Sequence, residues 1–128
     1  MNREFRCCFF ARDYEATLAF YRDGLEFPVL ESWDRGIDDR GTLFGAASGM
    51  IEVLALPQKQ ESAEVWNYKP PQGVMVGIEV DDVVTSYWRA MEKGLSIREG
   101  LIDQKWGHRS FRLTDPEGVS LYLFSKIG

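Results

Sequence analysis

The one histidine of the sequence, His108, is the side chain whose unperturbed pKa lies nearest neutrality. Its neighbours define its surroundings. Over residues 108–114, alternation puts His108, Ser110 and Arg112 on one side of a strand and Arg109, Phe111 and Leu113 on the other. General acid or base work by His108 needs a partner, and Cys8 is the nucleophile available to pair with it; no electrophile accompanies them, so His108 reads as a hydrogen-bonding or structural group and no catalytic residue is assigned. Cys7 and Cys8 are adjacent and point to opposite sides of any strand, so neither a disulfide nor a spaced zinc motif follows from them. Glu52 and Glu79 are carboxylates on apolar stretches and suit a cationic ligand. Trp33, Trp66 and Trp106 offer stacking faces, each worth about 0.5–1.5 kcal/mol beyond area burial.

The elements that position these groups follow from periodicity. Residues 104–124 read as a hairpin whose turn is Asp115, Pro116, Glu117 and Gly118: proline fixes φ, aspartate bonds its own backbone two residues on, and glycine accepts positive φ. On its second arm Leu121 and Leu123 oppose Ser120, Tyr122 and Phe124. One face is therefore core, and the other, carrying His108, Ser110, Arg112, Tyr122 and Phe124, is either ligand-lining or simply solvated. Upstream, residues 5–11 form a strand with Arg6, Cys8 and Phe10 on one side, and a helix follows from an Asp13 N-cap, with Leu18, Tyr21 and Leu25 as its stripe and Gly24 as its stop. Strands are expected at 27–33, 42–46 and 50–56.

Periodicity then lapses from Pro57 to Gly73, a linker in which Trp66 or Tyr68 needs something to pack on. The first pattern returns after it. Val74, Val76, Ile78 and Val80 alternate with Met75, Gly77 and Glu79; Asp81 or Asp82 caps a helix with Val83, Tyr87 and Met91 buried; Gly94 ends it; and weaker strands at 95–99 and 101–103 lead into the hairpin. The expectation is an α+β fold: a single domain, 1–128, made of a first βαβββ module (1–57), a linker (58–73) and a second βαβββ module (74–128), forming a cupped, mixed eight-stranded sheet with helices outside.

A chain of 128 residues with 45% apolar and 27% charged content has the profile of a globular domain. Its net charge of −5 argues against nucleic acid as a partner. No apolar run reaches the roughly 20 residues of a membrane span, and the first residues lack the apolar core of a signal peptide, so a cytoplasmic location is expected.

The paired repeats, Thr17 to Leu25, Glu79 to Asp82, and above all Trp106-Gly107 leading through Phe111 to the Asp115–Gly118 turn give the chain a family likeness. It resembles the vicinal oxygen chelate superfamily of glyoxalases, extradiol dioxygenases and bleomycin resistance proteins over nearly its whole length. In metal-using members each module supplies one ligand from its first strand and one from its last. Those positions are Arg6, Glu52, Met75 and Tyr122 here, and only Glu52 suits a divalent ion. The resemblance therefore implies no metal, no cofactor, and a likeness to the metal-free bleomycin resistance proteins: a homodimer that sequesters an aromatic or cationic small molecule in a cleft at its interface. Its expected ligand-binding residues are Arg6, Cys8, Phe10, Trp33, Glu52, Trp66, Met75, Glu79, Trp106, His108, Arg112 and Tyr122. Arg6 beside Glu52 is expected as a buried ion pair in the metal's place. The alternatives are a glyoxalase-like lyase or isomerase with a non-standard metal site, for which Cys8, Glu52 and His108 are the candidate donors, and a protein-interaction module with a collapsed cavity.

Overall fold

The computed structural model describes residues 3–59, 65 and 67–128. The chain divides into two compact units, Met1–Pro70 and Pro71–Gly128. Each contains a βαβββ module, so the expected α+β architecture is present; the eight strands among the described residues are hydrogen-bonded as two mixed sheets of four.

In the first unit, β1 (Arg6–Ala11) leads to α1 (Tyr14–Ala19), then β2 (Val29–Asp34), β3 (Arg40–Ala46) and β4 (Gly49–Ala55). The sheet order is β1-β4-β3-β2, with β1 parallel to β4 and the other pairs antiparallel. Asp13 caps α1 by accepting from the Ala16 amide at 3.1 Å, as its position before the apolar stripe predicts. The helix does not stop cleanly. It runs on through a π turn, Phe20–Gly24, which swings the Tyr21 ring into the core among Phe9, Phe20, Phe27 and Phe44. Tyr21, Phe44 and Val53 are completely buried; removing such a side chain from water contributes roughly 1.5–3 kcal/mol. The π turn also delays β2. Glu26 takes a positive φ of 59° and the Phe27 amide bonds back to the Tyr21 carbonyl, so the strand begins at Val29 instead of residue 27.

The second unit repeats this order: β5 (Met75–Glu79), α2 (Val83–Glu92), β6 (Ser96–Asp103), β7 (His108–Thr114) and β8 (Ser120–Lys126), with sheet order β5-β8-β7-β6. Asp82 is the cap of α2, accepting from the amide and the hydroxyl of Thr85 at 3.2 and 2.9 Å. Gly94, at φ 68°, follows its end. The turn of the β7–β8 hairpin is organised by Asp115, whose buried Oδ1 accepts from the amides of Glu117 (2.8 Å) and Val119 (2.9 Å). Phe111, Leu113, Leu121 and Leu123 form the buried face, as alternation predicts.

Two expectations about α2 and β6 need correction. The buried stripe of α2 is Val83 and Ala90, with Tyr87 half-buried edge-on to Phe111; Met91 is 47% exposed. Ala90, next to Met91, is the residue that turns to the core at this end of the helix, so Met91 falls outside the buried stripe. The two weak strands are one strand, β6, whose pairing with β7 shifts register between Ile97 and Glu99 and again between Glu99 and Ile102. Bulges there break the period-2 pattern without ending the strand.

Candidate functional site

Each sheet carries its helix on one face and chemistry-bearing side chains on the other, and register decides which. In the first unit Cys8 pairs with Glu52, and Glu52 with Leu43; Phe10 pairs with Leu54, and Leu54 with Gly41. Directly opposite residues share a face. Arg6, Cys8, Phe10 and Glu52 therefore lie on one side, as expected, and Trp33, whose strand partner is Gly41, lies there with them.

The centre of this face is an Arg6–Glu52 ion pair. The guanidinium donates from Nη1 to Glu52 at 3.0 Å, and from Nε and Nη2 to Glu4 at 2.9 and 2.6 Å. Bracketing by two carboxylates holds its pKa above the ordinary arginine range, the hydrogen bond to Glu52 being the largest cause. The pair is not buried as expected: the Arg6 side chain is 33% exposed and Glu52 14%. The Cys8 thiol lies 3.6 Å from the same Glu52 oxygen. Partial burial, reinforced by that carboxylate, pushes the thiol pKa up, so Cys8 is a poor thiolate. Glu4 was not anticipated, although its spacing of two from Arg6 places both on one side of an extended chain.

Trp33 covers Gly41. The indole occupies the space that any side chain at position 41 would need. The Arg35 guanidinium sits 5.9 Å from the indole centroid. An open cleft of about 260 Å³ lies beside α1, lined by Tyr14, Glu15 and Leu18, by Ser32, Trp33 and Asp34, and by Arg40. Tyr14, Thr42 and Ser32 form a hydroxyl chain there, at 2.8 and 3.0 Å. Burial pushes the Tyr14 phenol pKa up. Of its lining residues, the sequence reading named only Trp33 as ligand-binding.

In the second unit the corresponding face is aromatic. The His108 imidazole stacks on Phe124, with centroids 4.1 Å apart and planes 10° apart, and Tyr122 stacks on Phe124 at 5.4 Å. Trp106, 62% exposed, stands edge-on to His108 at 6.4 Å. Two hydrogen bonds tie these rings: Trp106 Nε1–H donates to the Tyr122 hydroxyl at 3.3 Å, and that hydroxyl lies 3.1 Å from His108 Nδ1. The residues come together because Ser110 pairs with Phe124 and Arg112 with Tyr122 across the β7–β8 ladder. Ser110 is fully buried and takes a hydrogen bond from Gln104.

The charges beside the rings are paired. Arg112 lies 3.7 Å from Glu99, and Glu79 lies 3.9 Å from Lys126; both pairs are substantially exposed. Met75 is 53% exposed at the start of β5. Phe124, which alternation with Leu123 places on the same face as His108 and Tyr122, forms the floor of the stack. Trp66 lies outside the described residues, while Tyr68 of the same stretch receives the Arg12 guanidinium 5.6 Å from its ring centroid.

The donor set does not fit a divalent metal. In the first unit the position on β1 is an arginine already bonded to the one suitable carboxylate, and in the second the positions are a thioether and a phenol bonded to Trp106 and His108. Among the described residues no group of three His, Cys, Asp or Glu side chains is placed to hold a metal ion. Nor is any helix among them long and apolar enough to cross a membrane.

Known structures share this architecture. The chain is similar to TioX from Micromonospora sp. ML1 (18% identity, 98% of this chain and 100% of that chain covered, TM-score 0.75). It is similar to TnmS3, an antibiotic binding protein from Streptomyces sp. CB03234 (19% identity, 98% and 97% covered, TM-score 0.72). It is also similar to lactoylglutathione lyase from Agrobacterium tumefaciens (21% identity, 98% and 94% covered, TM-score 0.67). The sequence has no match among curated proteins. At these identities the structures show the fold. The family is shown by a sequence model matched over residues 5–123: the chain belongs to the glyoxalase/bleomycin resistance protein/dioxygenase superfamily.

Proposed function

We propose that this protein binds a small aromatic molecule without a metal, holding it by stacking and hydrogen bonding in the manner of a sequestering protein. The observation that carries the reading is the ring assembly of Trp106, His108, Tyr122 and Phe124 on one face of the second unit's sheet. A core does not need that arrangement. Its rings are half-exposed, whereas the buried face of the same hairpin is aliphatic apart from Phe111. Glu52 and Glu79, the carboxylates suited to a cation, each face a basic side chain, so the aromatic surface is the stronger attraction and a positive charge on the ligand is secondary. TnmS3, an antibiotic binding protein of the same fold, supports a small-molecule ligand.

A flat ligand gains most when both its faces are covered, and the second unit's aromatic face covers one of them. The reading therefore includes a homodimer whose second copy helps close the cleft. Calorimetric titration of chelator-treated protein with planar aromatics, amines included, tests the proposal. Saturable binding is expected, weakened about tenfold in Phe124→Ala, since one stacking contact is worth up to roughly 1.5 kcal/mol. Absence of saturable binding across such a panel would refute it.

A further inference from the structure

We infer that the second unit reads a hydrogen-bond acceptor on the edge of its ligand's ring, through an imidazole fixed as an Nε2–H donor. This deepens the aromatic-ligand reading and rests on it. The tautomer follows from proton accounting along three side chains. Trp106 Nε1 is a donor only, so at the 3.3 Å contact the Tyr122 oxygen must accept. The hydroxyl's one proton then has a partner in His108 Nδ1, 3.1 Å away, which accepts it when Nδ1 carries no hydrogen. The opposite arrangement, with Nδ1–H donating, makes the same oxygen accept twice and sends its proton away from both partners. With Nδ1 as acceptor, the neutral imidazole keeps its hydrogen on Nε2.

Nε2 has no hydrogen-bond partner among the described residues. Its N–H lies in the imidazole plane, and stacking on Phe124 at 10° fixes that plane parallel to the aromatic floor. A ligand ring lying along this surface meets the N–H at its edge, not its face. The recognised class is therefore a planar aromatic bearing a neutral edge acceptor, such as a ring carbonyl or a pyridine-type nitrogen; a ring-edge N–H donor is disfavoured.

The three six-five-six tricycles fluorene, 9-fluorenone and carbazole share one skeleton and present, in turn, no polar edge, an acceptor and a donor. Calorimetric titration of the wild-type protein at pH 8 is expected to rank fluorenone above fluorene by about three- to tenfold, the worth of one neutral hydrogen bond, with carbazole no tighter than fluorene. Long-range ¹H–¹⁵N spectra of the same sample are expected to show a pyridine-like Nδ1 and a pyrrole-like Nε2 on His108. Tyr122→Phe removes the hydroxyl that holds the tautomer. It is expected to mix the His108 nitrogen signals and reduce the preference for fluorenone over fluorene to about twofold or less. Equal binding of fluorene and fluorenone, or a pyrrole-like Nδ1, would overturn this inference and leave the aromatic-ligand reading standing. No binding by any of the three would overturn that reading and this one with it.

Discussion

The Trp33 indole lies directly over the Cα of Gly41 on the neighbouring strand, in space that a methyl group at position 41 would fill. Glycine at 41 is thus the condition for the tryptophan's position on the sheet. Gly41→Ala is expected to push the indole off the sheet and lower unfolding free energy by about 1–2 kcal/mol, in the range of small-to-large changes at a packed position. Denaturant titration reads the stability, and the Trp33 indole N–H cross-peak reads the displacement. An unmoved cross-peak at wild-type stability would contradict the packing described.

Glu52 connects the ion pair to the thiol. The Cys8 pKa is raised first by burial and then by the charge and hydrogen bond of Glu52, while Arg6 lowers it. The thiolate is the reacting species. Glu52→Gln is therefore expected to speed iodoacetamide alkylation of Cys8 at pH 8, and Arg6→Met to slow it. Rates followed by peptide mass spectrometry separate Cys8 from Cys7; changes of the same sign in both variants would contradict the electrostatic account.

The β7–β8 turn depends on one carboxylate. Asp115→Ala leaves the amides of Glu117 and Val119 without their acceptor inside a buried turn, and is expected to cost about 2–4 kcal/mol. Asp115→Asn keeps an acceptor oxygen and is expected to cost about half as much. Equal losses in the two variants, measured by urea unfolding, would show that charge and not hydrogen bonding matters there.

Arg109 holds the Asp103 carboxyl below the ordinary aspartate range through a hydrogen bond of 2.6 Å. A carboxyl with a depressed folded-state pKa contributes stability above its unfolded value of about 3.9 and loses it as pH falls through the folded value. The stability difference between wild type and Asp103→Asn should shrink as pH is lowered from about 6 to about 2.5. Unfolding midpoints across that range check the sign, and a widening difference would reverse it.

The fold was legible where a local rule met a regular pattern. Asp13 and Asp82 as caps, Gly94 after α2, the Asp115 turn and the alternation of β5, β7 and β8 all follow from side-chain chemistry within a few residues. What was not legible depends on distant packing. The π turn at Phe20 is set by the space Tyr21 fills among four other rings, and the exposure of Met91 goes with Ala90, not Met91, turning to the core. The site divides the same way. Parity placed Arg6, Cys8, Glu52, His108, Arg112 and Tyr122 on their faces, but the stacking of His108 on Phe124 and the packing of Trp33 over Gly41 are tertiary contacts without a sequence period.

The central claim is that an aromatic molecule, and not a divalent metal, is what the native protein binds. The melting temperature of chelator-treated protein titrated separately with planar aromatics and with Zn²⁺, Ni²⁺ and Mn²⁺ tests it most directly, because a ligand of the native state raises that temperature. A rise of about 10 °C at a hundredfold excess of aromatic over Kd, with no response to metal, is the predicted result. Stabilisation by a metal alone, lost in Glu52→Ala, would contradict it.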